Sequence, residues 1–196
     1  MTRNLDLVVA ILVGIASLPV LLLMCVLIVL VDRQNPIFAQ KRLGRNEIPF
    51  TLYKLKTMRA GTLHVPTHMV AANNVSKIGS LLRRTKLDEL PQLWNVIIGN
   101  MSFVGPRPGL VDHDELTRYR RELDVFSIKP GITGVSQVEK IDMSDPKKLA
   151  ESDSRYLGQK NLLNDLKIIW ATILGKGGGD RIHSKERIEI RDPKGR

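Results

Sequence analysis

The densest run of chemically capable side chains is Arg83-Arg84-Thr85-Lys86-Leu87-Asp88-Glu89-Leu90-Pro91-Gln92, in which three cations precede two adjacent carboxylates. Apolar spacing predicts an amphipathic helix here, with Leu87, Leu90, Trp94, Ile97 and Ile98 on one face and Gly99 as its stop. Asp88 then stands at the helix start, where a carboxylate is an ordinary N-cap and Glu89 is favoured by the helix dipole. Pro91 fits a first turn and is costly deeper in a helix. Pairing Thr85 with Asp88 as an approximate capping box would bury Pro91 too far. The same arrangement has a chemical use. Arginines around a helix N-terminus attract phosphate. A carboxylate held among them can attack phosphorus, or ligate Mg²⁺ that bridges to phosphate oxygens. Residue types alone leave both readings open.

Other candidates are weaker. Arg107 lies in the rigid turn Gly105-Pro106-Arg107-Pro108-Gly109, as an anion contact or as a surface arginine in a structural turn. His64 and His68 are four apart, but Pro66 between them and the lack of a Glu after His64 argue against a zinc helix. Lys176-Gly177-Gly178-Gly179 lacks the Gly-Lys-Ser/Thr ending of a phosphate-cradling loop. The single cysteine, Cys25, lies in an apolar run, so neither a disulfide framework nor a cysteine metal site is available.

That apolar run is the element most able to position the dyad. Leu7 to Val31 is 25 residues long, with polarity only at Gly14, Ser17 and Pro19. It meets the length of a membrane-embedded helix, about 20 apolar residues for a ~30 Å hydrocarbon core. It is too long for a signal-peptide core, and Asp32-Arg33-Gln34-Asn35-Pro36 offers no cleavage site. Pro19, near its middle, implies either a kinked span or a segment that enters, bends and leaves on the same side. Arg33, Lys41, Arg42, Arg45, Lys54, Lys56 and Arg59 follow the run and mark that flank as cytoplasmic. Arg3 on the other flank leans the same way, which favours the same-side hairpin.

Thirty Lys and Arg against 20 Asp and Glu give a net charge of +10, which suits phospholipid headgroups, phosphorylated substrates or nucleic acid. Nine aromatic residues (Trp 2, Tyr 3, Phe 4) are few for a stacking platform, so nucleic acid is not expected. The soluble part has room for one modest domain. Ile37–Gln40 and Phe50–Leu55 around Gly44-Arg45-Asn46 predict a small hairpin. Residues 60–76 read as a loop, residues 110–125 as a charged helix ended by Lys129-Pro130-Gly131, and Ile132–Val138 as an extended piece. Leu162–Leu174 is amphipathic, with Leu162, Leu166, Ile169, Trp170 and Ile173 on one face. Trp170 with Lys167 and Lys176 leaves core packing and a lipid-interface helix equally open. From Gly175 the chain is glycine-rich and then charged, as expected of a flexible tail.

Three ordered stretches resemble a known family: Lys86-Leu87-Asp88-Glu89-Leu90-Pro91-Gln92-Leu93-Trp94-Asn95-Val96, then Gly99-Asn100-Met101-Ser102-Phe103-Val104-Gly105-Pro106-Arg107-Pro108, then Lys129-Pro130-Gly131-Ile132-Thr133-Gly134. Arg3-Asn4-Leu5-Asp6, Tyr53-Lys54-Leu55-Lys56-Thr57-Met58, Asp153-Ser154-Arg155-Tyr156 and Asp165-Leu166-Lys167-Ile168 extend the likeness over nearly the whole chain. Each is weak alone, but their order and spacing are specific. Together they resemble the bacterial sugar transferases, the small monotopic phosphoglycosyl transferases that start glycan assembly on polyprenyl phosphate.

The resemblance implies an α+β, mainly helical fold. It comprises a re-entrant membrane hairpin broken at Pro19 (residues 1–35), a catalytic domain with interfacial helices and a minor β-hairpin (36–174), and a charged tail (175–196). About 12 residues on each side of Pro19 give roughly 18 Å per arm, enough for one leaflet. In such enzymes the Asp of the dyad, here Asp88, is the nucleophile, and Glu89 assists through metal and proton handling. Mg²⁺, with Asp88 and Glu89 as ligands, offsets diphosphate charge. Arg83 matches a phosphate-contacting arginine and Lys56 an essential lysine, while Asp153 falls in an acidic supporting motif. The implied partners are a UDP-sugar, polyprenyl phosphate and membrane lipid, with UMP as product and a homo-oligomer an open option. The implied place is the cytoplasmic face of the bacterial inner membrane. The chain departs from the pattern at three points. Leu18 precedes Pro19 where Ser is usual, although Ser17 could bond the carbonyl that Pro19 frees. Lys86 stands where Ser is frequent. Asn100 replaces a common Asp, so position 100 is not assigned to metal. A basic membrane-anchored adaptor for anionic lipid or nucleic acid explains the charge but not the ordered motifs. A single long apolar run argues against a polytopic transferase.

Overall fold

In Pro49–Leu55 the alternating side chains Phe50, Leu52 and Lys54 turn inward. That strand, β2, pairs antiparallel with β1 (Ile37–Leu43), in register from Ile37 opposite Leu55 to Leu43 opposite Pro49. The expected hairpin is therefore present, its turn made by Arg45–Glu47, with Asn46 and Glu47 at positive φ. These strands belong to a computed structural model that describes residues 1–59 and 74–175. His64, His68 and the tail from residue 176 lie outside the described residues.

The β content exceeds one hairpin. A two-residue strand, β4 (Gly109–Leu110), joins β1 at its other edge, giving the order β2-β1-β4. A second, parallel pair joins β3 (Ser102–Val104) to β5 (Gly131–Thr133). Beyond β5 the chain is helical (α5, Val135–Val138), so the extended piece expected to reach Val138 stops at Thr133. The remaining helices are α1 (Arg3–Leu27), α2 (Lys77–Thr85), α3 (Gln92–Ile97), α4 (Asp114–Glu122), α6 (Pro146–Gln159) and α7 (Leu162–Ile173). A π-helical turn, Ile28–Asp32, extends α1.

Helix α1 is attached to the rest at both ends. Near its start, Asp6 accepts from Ser102 Oγ (2.8 Å) and Phe103 N (3.2 Å), and Arg3 donates to the carbonyls of Val96 and Ile97. Ala10 is fully buried with Phe50, Leu52, Leu93, Val96 and Met101. Past its end, Ile28 is buried with Leu55 and Leu82. Between these anchors Leu12, Ile15, Leu18, Leu22 and Leu23 are exposed.

The helix runs through Pro19 without a gap, so the expected break is not an interruption of helical structure. Proline removes only the single bond from its own nitrogen and can be carried by a helix whose neighbours hold. Ser17 Oγ donates to Gly14 O (3.2 Å) and not to the Ile15 carbonyl that Pro19 leaves unpaired. A serine hydroxyl reaches back three or four residues, and Ile15 is only two away.

Two expected helix faces are corrected. In the segment after Leu87, Leu93 and Val96 are buried, whereas Trp94 and Ile98 are exposed. In α7 the buried positions are Asp165 and Ile168, while Leu162, Leu166, Trp170 (63% exposed) and Ile173 face outward. Core packing is therefore not the use of that apolar face.

Candidate active site

Asp88 and Glu89 lie in a single 3₁₀ turn, Leu87–Glu89, between α2 and α3. Lys86, at φ 58°, ends α2 in the left-handed region and redirects the chain into this turn. Helix α3 starts only at Gln92, preceded by Pro91. The expectation that Asp88 caps or opens the amphipathic helix is thus corrected, because Pro91 fixes the helix start three residues later. Asp88 is 7% exposed.

Glu89 Oε1 is approached by Lys54 Nζ at 3.3 Å and by Arg107 Nη1 at 3.8 Å, and all three side chains are largely buried. Each cation arrives on a different element. Lys54 is the third inward residue of β2, after Phe50 and Leu52. Asn95 of α3, fully buried, ties that strand to the dyad's own segment: its Nδ2 donates to Thr51 O (2.7 Å) and its Oδ1 accepts from Tyr53 N (3.2 Å).

Arg107 is held by a backbone junction. A Cβ on Gly131 would come within 2.1 Å of Gly105 N, and one on Gly105 within 2.5 Å of Lys129 O. Only glycine allows the 105–109 turn and the 129–134 segment to approach so closely. Gly131 N also donates to Pro106 O (2.9 Å).

Beside the dyad opens a cavity of about 630 Å³, walled by Val13 of α1, the Arg84–Lys86 corner, Glu89, Phe103, Ile132 and the end of α7. Its lining is mainly apolar, with cations at one side. The arrangement joins a buried carboxylate pair, cations able to balance phosphate charge, and an apolar chamber bordered by the long apolar helix.

Residues 1–176 match the family model of the bacterial sugar transferases. The chain belongs to that family. It is 34% identical over 179 residues to the UDP-glucose:undecaprenyl-phosphate glucose-1-phosphate transferase of Escherichia coli, covering 86% of this chain and 38% of that protein. It is 35% identical over 184 residues to the UDP-galactose-lipid carrier transferase of Erwinia amylovora (83% of this chain, 38% of the relative). The exopolysaccharide production protein ExoY of Sinorhizobium fredii is 34% identical over 189 residues, covering 87% of this chain and 83% of ExoY. The chain thus spans well under half the length of the first two relatives and most of the length of ExoY.

Of the residues singled out in the sequence, Asp88, Glu89 and Arg107 converge. Arg83, in the last turn of α2, donates through Nε to Thr57 Oγ1 (2.8 Å), which ties α2 to the end of β2. Lys56 follows β2, its amide bonded to Pro36 O (2.8 Å), and is not among the partners of Glu89. Asp153 belongs to a separate buried cluster. Its Oδ2 accepts from Arg120 (2.6 and 3.1 Å) and its Oδ1 from Ser136 (2.8 Å), joining α4, α5 and α6. Burial in that cluster pushes the Asp153 carboxyl above its ordinary range, and the Arg120 charge opposes the shift. Arg120 Nη1 lies 3.2 Å from where a Cβ on Gly109 would sit, which places this cluster against the end of the 105–109 turn.

Lys54 and Asn95 belong to the site as well, and no motif in the sequence marks them as site residues. Lys54 had a signal, because alternation after Phe50 and Leu52 makes it an inward lysine that needs an acid partner.

Proposed function

We propose that this chain transfers a phosphosugar from a UDP-sugar to polyprenyl phosphate, releasing UMP, on the cytoplasmic face of the inner membrane. The observation that carries the reading is the buried Asp88-Glu89 turn, whose Glu89 is gripped by Lys54 and Arg107 and borders an apolar chamber beside α1. Glucose- or galactose-carrier transferases with undecaprenyl phosphate or lipid carriers in their names are among the chain's relatives, and the same two substrate classes suit this site.

In the first step an Asp88 carboxylate oxygen attacks the sugar-linked phosphorus. The bond from that phosphorus to the bridging oxygen breaks, and UMP leaves with the electron pair. In the second step an oxygen of the acceptor phosphate attacks the same phosphorus, the aspartyl P–O bond breaks, and Asp88 returns to its carboxylate. Glu89 takes any proton the acceptor carries. Lys54 and Arg107, both beside Glu89, would balance charge on the transferring phosphoryl group, the main electrostatic need in such chemistry.

Among the described residues no cluster of three His, Cys, Asp or Glu side chains could cage a metal. The donor set present, two neighbouring carboxylates, fits Mg²⁺ of the kind that keeps waters and completes its shell with substrate phosphate. Asp88 and Glu89 would hold it, and it would supply charge neutralisation on the diphosphate.

The same-side membrane placement has its support in the two anchors of α1, which both lie on one domain while the stretch between them is exposed and apolar. Trp170, Leu166 and Ile173 offer a second apolar surface suited to the lipid interface.

The deciding experiment supplies purified protein, Mg²⁺, polyprenyl phosphate and a panel of UDP-sugars, and measures UMP. Release is expected with one or more sugars, and Asp88→Asn is expected to lower it by at least about 10³-fold, as for loss of an attacking group. Mass spectrometry should find the phosphosugar on Asp88. Normal turnover by Asp88→Asn, or an adduct on another residue, overturns the nucleophile. A basic adaptor would release no UMP at all.

A further inference from the structure

The 630 Å³ chamber has three features that the donor half of the reaction does not use. The first is Lys86. Its Nζ bonds Thr172 O at the end of α7 (3.3 Å) while the side chain lines the chamber, and an ammonium has three donors. Arg84 lines the same side. The second is Gln137. It is 8% exposed and part of the chamber lining, its Nε2 donates to Ile132 O (3.1 Å), and its Oε1 is buried without a hydrogen-bond partner, within reach of the chamber only if the side chain turns. A buried unsatisfied acceptor costs about 1–3 kcal/mol, so a ligand that donates to it is favoured. The third is the wall itself: Val13, Leu90, Leu93, Phe103, Ile132 and Ile173 are apolar, and Val13 and Ile173 belong to the two helices whose outer faces are exposed and apolar.

Two cations, one orphan acceptor and an apolar wall describe an amphiphile with a monophosphate head. A phosphate monoester loses its second proton near pH 6. It is therefore an anion for Lys86 and Arg84 and, while singly protonated, a hydroxyl donor for Gln137. The volume lies within the ~300–1,000 Å³ range that encloses a small ligand. It is large enough for such a head and the first part of a chain, and Val13 and Ile173 border its apolar side. Glu89 borders this chamber and also meets Lys54 and Arg107, which with Arg42 and Pro108 line a smaller basic cleft.

We infer that Lys86, with Gln137, forms the phosphate-binding end of an acceptor-lipid site in this chamber, reached from the membrane side and separate from the basic cleft at Lys54 and Arg107. The inference rests on the proposed acceptor and adds which residues recognise it.

The test is equilibrium binding of geranylgeranyl monophosphate to the full chain in neutral detergent, with no UDP-sugar present. Parallel arms use geranylgeraniol, inorganic phosphate and phosphatidylglycerol. Saturable binding of the isoprenyl phosphate is expected, weakened at least tenfold by Lys86→Met and largely kept by Lys86→Arg. Val13→Trp keeps every charge and narrows the chamber from the membrane side, and it too should weaken binding at least tenfold. Thermal unfolding checks that the variants are folded. If Lys86→Met does not fold, Val13→Trp and Gln137→Leu decide. Unchanged binding by folded Lys86→Met and Val13→Trp overturns the site. So does binding matched by inorganic phosphate or phosphatidylglycerol, which would mark a general anion or lipid surface. The outcome is separable from the proposed reaction: an Asp88 adduct with unchanged lipid binding sinks only this site, and lipid binding without an adduct sinks only the reaction.

Discussion

Lys54 and Arg107 hold Glu89 from two directions, and the two contacts differ in consequence. Lys54 is the nearer, and with both groups largely buried its removal leaves a carboxylate short of a partner. Truncating one side of such a pair costs on the order of 2–5 kcal/mol. Lys54→Met is therefore expected to lower kcat/KM for the UDP-sugar by about 30-fold or more, and Lys54→Arg to recover part of the loss. Steady-state UMP release checks this, and an unchanged kcat/KM in Lys54→Met would remove Lys54 from the site. The same residue shows where sequence pattern stops. Asp88, Glu89 and Arg107 are legible because their types are unusual in their settings: paired acids after three cations, and an arginine between prolines. Lys54 and Lys56 share one face of an alternating segment. Which of them meets Glu89 depends on where Asn95 clamps α3 against β2, a tertiary contact that no local period encodes.

Short elements at this site are set by junctions more than by propensity. The 3₁₀ turn carrying the dyad exists because Lys86 turns left-handed and Pro91 starts a new helix. Helical periodicity runs across both and so suggests one continuous helix. The α7 face misleads for a related reason: apolar spacing says that a face is buried in something, and here protein covers only the Asp165–Ile168 side. The Gly105–Gly131 crossing fixes Arg107 most firmly. Gly131→Ala would drive a methyl group into Gly105 N and Thr133 O, both backbone atoms with no way to rotate aside. The expected result is destabilisation of about 1–3 kcal/mol or more, read as a lowered Tm, with UMP release falling more than the folded fraction does because Arg107 moves. A variant with wild-type Tm and turnover would show that the crossing is slack.

Across the whole molecule, one basic spot joins three distant segments. Lys129 sits near Arg3 and Arg45, and burial together with those charges holds its ammonium below the usual lysine value, Asp6 opposing. Between the lowered value and the ordinary one the unfolded chain binds more protons, so stability rises with pH through that alkaline window. Below it, charged Lys129 is a constant cost. Lys129→Met is expected to raise Tm at neutral pH and to lack the alkaline rise of the parent. Parallel pH profiles for the two proteins would contradict this. The membrane placement is checked at the same scale. In a Cys25→Ser background, a thiol-reactive label excluded from the cytoplasm should fail to modify Thr2→Cys in intact cells, and efficient labelling would exclude the same-side placement.

Fully buried Ala10 carries a further consequence for biogenesis. Ribosomes make α1 before the strands and helices that it contacts among the described residues, so in the proposed membrane placement it would enter the bilayer while the rest is still being translated. The apolar cluster of Phe50, Leu52, Leu93, Val96 and Met101 would then close around Ala10 on a helix already in place, with the Asp6 and Arg3 contacts joining it to the domain. Maturation would accordingly be ordered, insertion first and closure second. The Asp88-Glu89 turn would assemble only in molecules whose α1 was already in place.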